Sequence, residues 1–170
     1  HLARQGGLDG YIAAKEKFFA NTRLDSRRPV AVICVDTKIC ADIAGRMMKE
    51  GRWTVIPGSV QNRLNEGVFV EDGILYEVRG DETVRIYDLT QLHSLKGVHN
   101  HENIACVYAV LRQLYGIEPD HIMKEMTTFG GLPHRQFQVR TINGVAYIND
   151  SKATNAEAAP KALTCYRRIY

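Results

Sequence analysis

The chain of 170 residues lacks the signatures of several common protein classes. No apolar run is long enough to cross a membrane as a helix, so no membrane insertion is expected. The four cysteines have neither the C-x-x-C spacing nor another spacing typical of a metal site. The net charge of +3 is small and its charges are dispersed, which argues against a nucleic-acid partner. We find no internal repeat and no low-complexity segment, and the length suits one domain or one and a part.

What the chain does contain is enough apolar sequence, 45% of its residues, to form a sizeable core. Cys34 and Cys106 lie inside apolar runs and are predicted to be reduced core thiols, which is typical of a cytoplasmic protein. The sequence opens on His1 without an initiator Met, and residues 168–170 resemble the start of a strand. We therefore expect a piece of a longer protein.

The order of the apolar segments predicts an α/β fold. Residues 29–35 and 53–56 have the pattern of strands, with a helix over residues 37–50 between them. This β-α-β unit predicts a parallel sheet flanked by helices. Asp36 is expected to cap the helix and Gly51 to end it. The turn after the first strand lacks the G-x-G-x-x-G fingerprint, so no dinucleotide site is predicted there.

Further along the chain, the pattern changes to short strands. Residues 68–88 contain three of them, joined by Asp72-Gly73 and Gly80-Asp81 turns, which predicts a small antiparallel meander covering a sheet edge. Helices are predicted from about residue 97 to 114 and from Pro119 to about residue 128. A hairpin is predicted over residues 137–150, with Asn143-Gly144 at its turn.

A first candidate site lies near the beginning of the chain. Residues 8–21 are predicted to form a helix with an apolar stripe, and Lys15 falls on that stripe. Its ammonium group can simply reach solvent, which is the common outcome. Alternatively, Lys15 is a functional lysine in a partly buried setting where its amine can react. His1 is a candidate metal ligand, although a lone histidine usually is not one.

A second group of candidates comes from three polar segments. Asn100 and Asn103 lie on one face of a helix's first turn, where they can bind an adenine edge or serve as helix caps. Arg135, in a Gly-Gly-Leu-Pro loop, can bind phosphate or be an ordinary surface residue. The polar turn at residues 149–155 joins a predicted strand to a predicted helix at 156–165. Asp150 there can contact a ligand or cap that helix.

These segments resemble the Mur ligase family of peptidoglycan synthesis along essentially the whole chain. The segment at 149–155 is similar to the branch of the family that adds D-glutamate. The four matching blocks are His1-Leu2 with Tyr11-Ile12-Ala13-Ala14-Lys15, Gly97-x-His99-Asn100-x-x-Asn103, Gly131-Leu132-Pro133-His134-Arg135 and Asn149-Asp150-Ser151-Lys152-Ala153-Thr154-Asn155.

The resemblance implies an ATP-dependent ligase, acting as a monomer with Mg²⁺, that joins D-glutamate to UDP-N-acetylmuramoyl-L-alanine. It implies catalytic roles for Lys15 and Lys152, with His1 and a carbamylated Lys15 as metal ligands. The remaining implied roles are nucleotide binding by Asn100, Asn103, Arg135 and Asp150, and substrate binding by Ser151 and Thr154.

The resemblance also implies two domains. Residues 1–130 correspond to the C-terminal part of the central ATP-binding domain, and residues 131–170 to the beginning of a second, Rossmann-like domain. The G-x-x-x-x-G-K-[ST] phosphate loop of the family is absent from these residues, so we expect the chain alone to be inactive. Ala3, Gln5 and Gln138 depart from the family's pattern.

Two other functions remain open at this stage. The chain could be a non-catalytic nucleotide-binding module that kept the fold without the phosphate loop. It could also belong to a sister ligase, such as a folylpolyglutamate synthetase, although the Asp-Ser-Lys-Ala-Thr turn argues against that.

Overall fold

The structure is a computed structural model that describes residues 6–20, 28–154, 158–166 and 168–170. Two helices alternate with the first two strands, three more strands and two helices come next, and a hairpin and a short helix follow. In chain order the elements are α1 (Gly7–Ala20), β1 (Val30–Cys34), α2 (Lys38–Glu50), β2 (Thr54–Ser59), β3 (Gly67–Glu71), β4 (Ile74–Arg79), β5 (Glu82–Asp88), α3 (Val98–Tyr115), α4 (Pro119–Thr128), β6 (Phe137–Ile142), β7 (Val145–Asn149) and α5 (Ala158–Leu163).

Five strands form one sheet in the order β1-β2-β3-β4-β5. The pairs β1–β2 and β2–β3 are parallel, whereas β3, β4 and β5 pair antiparallel. The predicted α/β class is therefore confirmed, but the sheet is mixed rather than parallel, because the meander covers the edge of β2 by pairing with it. Gly67 makes this junction possible: its φ is +84°, and a Cβ there would overlap the carbonyl oxygen of Pro57.

The sheet carries apolar clusters on both of its faces. On one face, the buried residues of α3 and α4 pack on the strands, with Tyr108, Leu75 and Val68 among the most buried side chains. On the other, α2 packs on alternate residues of β1, and Trp53 joins the cluster. The alternation follows from the two-residue period of a strand, which sends successive side chains to opposite faces.

One ionic group lies inside the first cluster. Glu77 is only 5% exposed, and its carboxylate accepts hydrogen bonds from the Tyr108 hydroxyl at 2.8 Å and from Arg79 at 2.7 Å. A buried carboxylate is tolerated when such donors satisfy it. The bond to Tyr108 holds the middle of α3 against β4. The first turn of the same helix forms part of the candidate site described below.

The start of α2 differs from the prediction. Thr37 caps the helix, and its hydroxyl oxygen accepts from the Cys40 backbone N–H at 3.2 Å. Asp36 was the wrong choice because its carboxylate is occupied by the end of β2: it accepts from Val60 N at 2.8 Å and from the Ser59 hydroxyl. The predicted end of the helix at Gly51, with φ of +67°, is confirmed.

The hydrogen bonds also determine the charge state of Asp36. Burial alone would raise the pKa of this carboxyl, but the bonds from Ser59, Val60 and Cys34 outweigh burial and hold the pKa below its usual value. Asp36 is therefore ionised at neutral pH, and it ties the carboxyl ends of β1 and β2 together.

The four cysteines are free thiols, all partly buried. Burial raises the pKa of Cys34 to about 12 and that of Cys106 to about 11, so both are protonated at neutral pH, as expected for core thiols. Among the described residues, no helix combines the length and apolarity that crossing a bilayer would require.

Candidate functional site

A cavity of about 200 Å³ lies where three separate segments of the chain meet. The first turn of α3, the loop before β6 and the turn after β7 form its walls. The structure thereby brings together Asn100, Asn103, Arg135, Asp150 and Lys152, five residues that the sequence analysis selected from three segments. The remaining lining residues are Ser94, Leu95, His99, Phe129, Gly131, Leu132, Gln136 and Ala153.

The first wall is the N-terminal turn of α3. Gly97 begins this helix with φ of +91° and makes no side-chain cap. The Asn100 side chain donates to the Lys96 carbonyl oxygen at 2.7 Å, so part of its capacity serves the local backbone. It is not a helix cap, because Gly97 occupies the N-cap position. Asn103 lies one turn further along the helix and is exposed. The cavity is therefore lined by amide groups that can both donate and accept hydrogen bonds.

The second wall is the turn that follows β7. The Asp150 carboxylate accepts from the Gln136 backbone N–H at 3.1 Å, and the Lys152 N–H donates to the His134 carbonyl oxygen at 3.0 Å. The carboxylate thus binds the loop before β6. This contact differs from the helix cap considered as the alternative role of Asp150.

The third wall is the loop that carries Arg135. Two neighbours of Arg135 have left-handed backbones without being glycine: φ is +67° at His134 and +47° at Gln136. Such conformations are uncommon for residues with a Cβ and must be held by surrounding contacts. His134 Nδ1 lies 3.1 Å from the Ser151 hydroxyl and 3.2 Å from the Asn149 amide nitrogen. These contacts connect the second and third walls.

Two predicted substrate-binding residues are not part of this cavity's lining. Ser151 Oγ lies 3.1 Å from His134 Nδ1, and Thr154 is exposed. Both remain within a few residues of Asp150 in the chain. The turn therefore contributes its carboxylate, and neither of its hydroxyl-bearing residues, to the lining of the cavity.

Lys15 lines a different, larger cavity of about 630 Å³ at the carboxyl ends of β1 and β2. Asp36 and Glu102 contribute carboxylates to this lining, and His99 borders both cavities. The Lys15 side chain is exposed, and its Nζ lies 5.5 Å from the centre of the Tyr11 ring. The alternative in which the Lys15 side chain reaches solvent is therefore confirmed and the partly buried setting is wrong, although Lys15 does line a cavity.

The reason lies in the packing of α1. None of its residues is buried, and Leu8 and Phe18, both on the predicted apolar stripe, are 52% and 73% exposed. Phe19 provides a contact with the core, edge-to-face on Trp53 with ring centroids 5.5 Å apart. His1, the predicted metal ligand, lies outside the described residues. Within the described ranges, no three His, Cys, Asp or Glu side chains cluster in a way that could hold a metal ion.

Sequence reasoning missed one residue that the structure places at the centre of the site. Gln136 contacts Asp150 through its backbone and His99 through its side chain, with Nε2 of Gln136 3.0 Å from Nε2 of His99. Nothing in the pattern of the loop signals this role. The only available sign was that the segment following Arg135 departs from the family's usual residues.

The fold and the cleft define an α/β protein with a polar, amide- and charge-lined site at the start of a helix. No family model matches the chain. It is 44% identical to the UDP-N-acetylmuramoylalanine--D-glutamate ligase of Rhodospirillum rubrum and 39% identical to that of Caulobacter vibrioides, in each case over 170 residues, 100% of this chain and 35% of the relative. The corresponding protein of Ruegeria pomeroyi is 42% identical over 99% of this chain.

The chain therefore belongs to the Mur ligase family, in the branch of these D-glutamate ligases. It spans about a third of the length of the curated relatives that it matches, 35% for the protein of Rhodospirillum rubrum.

Proposed function

We propose that these residues form the nucleotide-binding wall of an ATP-dependent ligase that joins D-glutamate to UDP-N-acetylmuramoyl-L-alanine. The observation that carries this proposal is the cavity that gathers two asparagines, an arginine, a lysine and an aspartate from three segments. The names of the relatives support D-glutamate as the amino acid and argue against a folate-linked substrate.

Each group in the cavity suits one part of ATP. The amides of Asn100 and Asn103 can exchange hydrogen bonds with the donor and acceptor edge of adenine. Asp150 can accept from the ribose hydroxyls, since an ionised carboxylate only accepts. Arg135 and Lys152 supply positive charge for the phosphate oxygens, with Arg135 able to bind in a bidentate manner.

The proposed reaction has two chemical steps. The terminal phosphoryl group of ATP moves to a carboxylate oxygen of the UDP-linked substrate, which gives an acyl phosphate and ADP. The amine of D-glutamate then attacks the acyl carbon and loses a proton, and the tetrahedral intermediate expels inorganic phosphate as the amide forms. Arg135 and Lys152 stabilise charge on the moving phosphoryl group. Ser151 and Thr154 are proposed to bind the incoming amino acid.

In this proposal Lys15 is carbamylated, which converts its side chain from a cation into an anion. Its neutral amine attacks carbon dioxide, and the nitrogen loses a proton to solvent as the carbamate forms. The carbamate oxygens together with His1 would hold Mg²⁺. Glu102 lines the same cavity as Lys15, and carbamate and carboxylate oxygens are the ligands that Mg²⁺ prefers. The oxygens of Asp36 already accept from Ser59 and Val60. When bound, Mg²⁺ neutralises phosphate charge.

The domain organisation is part of the same proposal. Residues 1–130 correspond to the C-terminal part of the central ATP-binding domain, and residues 131–170 to the beginning of the next domain. The cavity then lies at the junction, since α3 belongs to the first part and the Asp150 turn to the second. We further propose that the complete enzyme acts as a monomer in the cytoplasm.

The test is a ligation assay on the full-length protein with UDP-N-acetylmuramoyl-L-alanine, D-glutamate, ATP and Mg²⁺. Amide product and phosphate should form in equal amounts. The variant Lys15→Ala should lose ligation while still binding nucleotide, and added bicarbonate should not restore it. Lys17→Ala, an exposed lysine on the same helix, is the matched control and should retain activity.

Two outcomes would contradict the proposal. Full activity of Lys15→Ala would remove the role assigned to this lysine. Nucleotide binding by the wild-type protein without any amide product would favour the non-catalytic module instead.

A further inference from the structure

We propose that Gln136 and His99 form a positioning pair that holds the Arg135 loop and the Asp150 turn against the start of α3. This inference rests on the proposed function, because it assigns the two residues to the shape of the nucleotide cavity. The observation behind it is that Gln136 touches both sides of the cavity. Its backbone N–H donates to Asp150 Oδ1 at 3.1 Å, and its side-chain amide lies 3.0 Å from His99 Nε2.

The contact between the Gln136 amide and the His99 ring can hold the loop at a fixed distance from α3. Gln136 and His99 are both half-buried, and the Gln136 Oε1 atom is buried without a partner among the described residues. The amide can therefore use either of its ends toward His99: Nε2 donates to a neutral ring nitrogen, or Oε1 accepts from an N–H. In both arrangements one hydrogen bond joins the loop to the helix.

The ring of His99 is itself held by close packing. A Cβ built at Gly97 would lie 3.1 Å from His99 Cε1 and 2.5 Å from Cys165 Sγ, so the histidine and the residues after α5 pack directly on the helix start. Lys96, one residue earlier, places its Nζ 5.5 Å from the centre of the Tyr166 ring. The start of α3, which carries His99, is therefore packed against the residues that follow α5.

The loop needs such a contact because of its backbone. Left-handed conformations at His134 and Gln136 flank Arg135 on both sides, and neither residue is a glycine. These conformations are unfavourable on their own and persist only where contacts hold them. Loss of the side-chain bond would allow Gln136 to return toward an extended backbone, which would move Arg135 and remove the N–H that orients Asp150.

The pair should therefore affect nucleotide binding and leave the other substrates alone. Gln136→Met keeps the length of the side chain and removes its polar atoms. With one neutral hydrogen bond lost, the affinity for ADP or ATP should fall about threefold to tenfold. The KM for D-glutamate and the KM for the UDP-linked substrate should change less than the nucleotide affinity, because neither substrate is assigned to the cavity that the pair shapes.

Gln138→Met, two residues further along the chain in β6, is the matched control. Gln138 is exposed, and its amide donates to the Thr141 hydroxyl at 3.0 Å within the hairpin, away from the cavity. Nucleotide affinity would be measured by calorimetry with ADP and Mg²⁺ on the full-length protein, together with the melting temperature of each variant. Only Gln136→Met should weaken binding, at a melting temperature close to that of the control variant.

A double-mutant cycle with Gln136→Met and His99→Leu shows whether the two residues affect ADP affinity through their mutual bond or independently. If the two residues act through their mutual bond, Gln136→Met should have little further effect on ADP affinity once His99 is replaced. Equal affinities for Gln136→Met and Gln138→Met, or strictly additive losses in the cycle, would overturn the positioning pair. Failure of the wild-type protein to bind ADP would instead overturn the proposed function on which the pair rests.

Discussion

The five-stranded sheet and the β6–β7 hairpin are both regular β-structure, yet their surroundings are opposite. In the sheet, Phe69 and Leu75 are completely buried. In the hairpin, every residue of β6 is exposed, and so are the first three residues of β7. Apolar side chains on the hairpin, such as Val139 and Tyr147, are about half exposed at 53% and 51%.

This difference shows that the two walls of the candidate site are stabilised by different forces. The helix α3 is anchored by apolar burial and by the bond between Tyr108 and Glu77. The hairpin depends on its turn, where Asn143 and Gly144 have φ of +49° and +78°, and on polar bonds at its base. Two central residues with positive φ are typical of the turns that match the twist of a hairpin.

The comparison predicts a large difference in stability between matched substitutions. Leu75→Ala removes a fully buried side chain and should lower the free energy of unfolding by about 2–5 kcal/mol. Ile142→Ala removes a similar volume from the hairpin, where the side chain is 42% exposed, and should cost less than about 1 kcal/mol. Urea unfolding of both variants measures the two values. Equal losses would show that the hairpin has a core of its own.

Much of this fold follows from the sequence. The order of strands and helices, the Gly51 helix end and the Asn143-Gly144 turn are local properties, and each is confirmed. The errors concern tertiary contacts. Periodicity indicated an apolar stripe on α1, but the packing that would bury it is not a property of the helix itself. Asp36 was assigned to the nearest helix because its partner, the end of β2, lies more than twenty residues away in sequence.

The site was predictable to a similar degree. Five of its residues were selected from the sequence, and the structure brings them to one cavity. The roles of Gln136 and His134 could not be foreseen, since they depend on left-handed backbones at residues that rarely adopt them. Local pattern identifies the polar groups, whereas the contacts that orient them depend on the path of the chain.

A second prediction concerns the contribution of Asp36 to the free energy of unfolding and its loss at acid pH. Asp36→Asn should lower the free energy of unfolding at pH 7 by about 1–2 kcal/mol, because hydrogen bonds to a charged acceptor are replaced by neutral ones. The pKa of Asp36 is below its usual value in the folded protein, so its contribution is present above the unfolded pKa and is lost as the pH falls through the folded pKa.

The difference between wild type and Asp36→Asn should therefore shrink as the solution is acidified below pH 4 or so, where the unfolded carboxyl begins to bind its proton. Urea unfolding at a series of pH values measures it. A difference that stays constant down to the most acid sample would show that Asp36 acts through shape alone. The hairpin substitution Ile142→Ala should show no such pH dependence relative to wild type.

The most direct test of the account is the affinity of Asp150→Asn for ATP, measured by calorimetry on the full-length protein. This substitution keeps the shape and one oxygen that can still accept from Gln136, but it removes the charge and replaces the other acceptor oxygen with an NH2 donor. Charge-assisted bonds are roughly twice as strong as neutral ones, so ATP should bind about tenfold more weakly. Asp81→Asn, in the exposed turn between β4 and β5, should bind ATP like wild type. An Asp150→Asn protein with wild-type affinity for ATP would contradict the assignment of this cavity to the nucleotide.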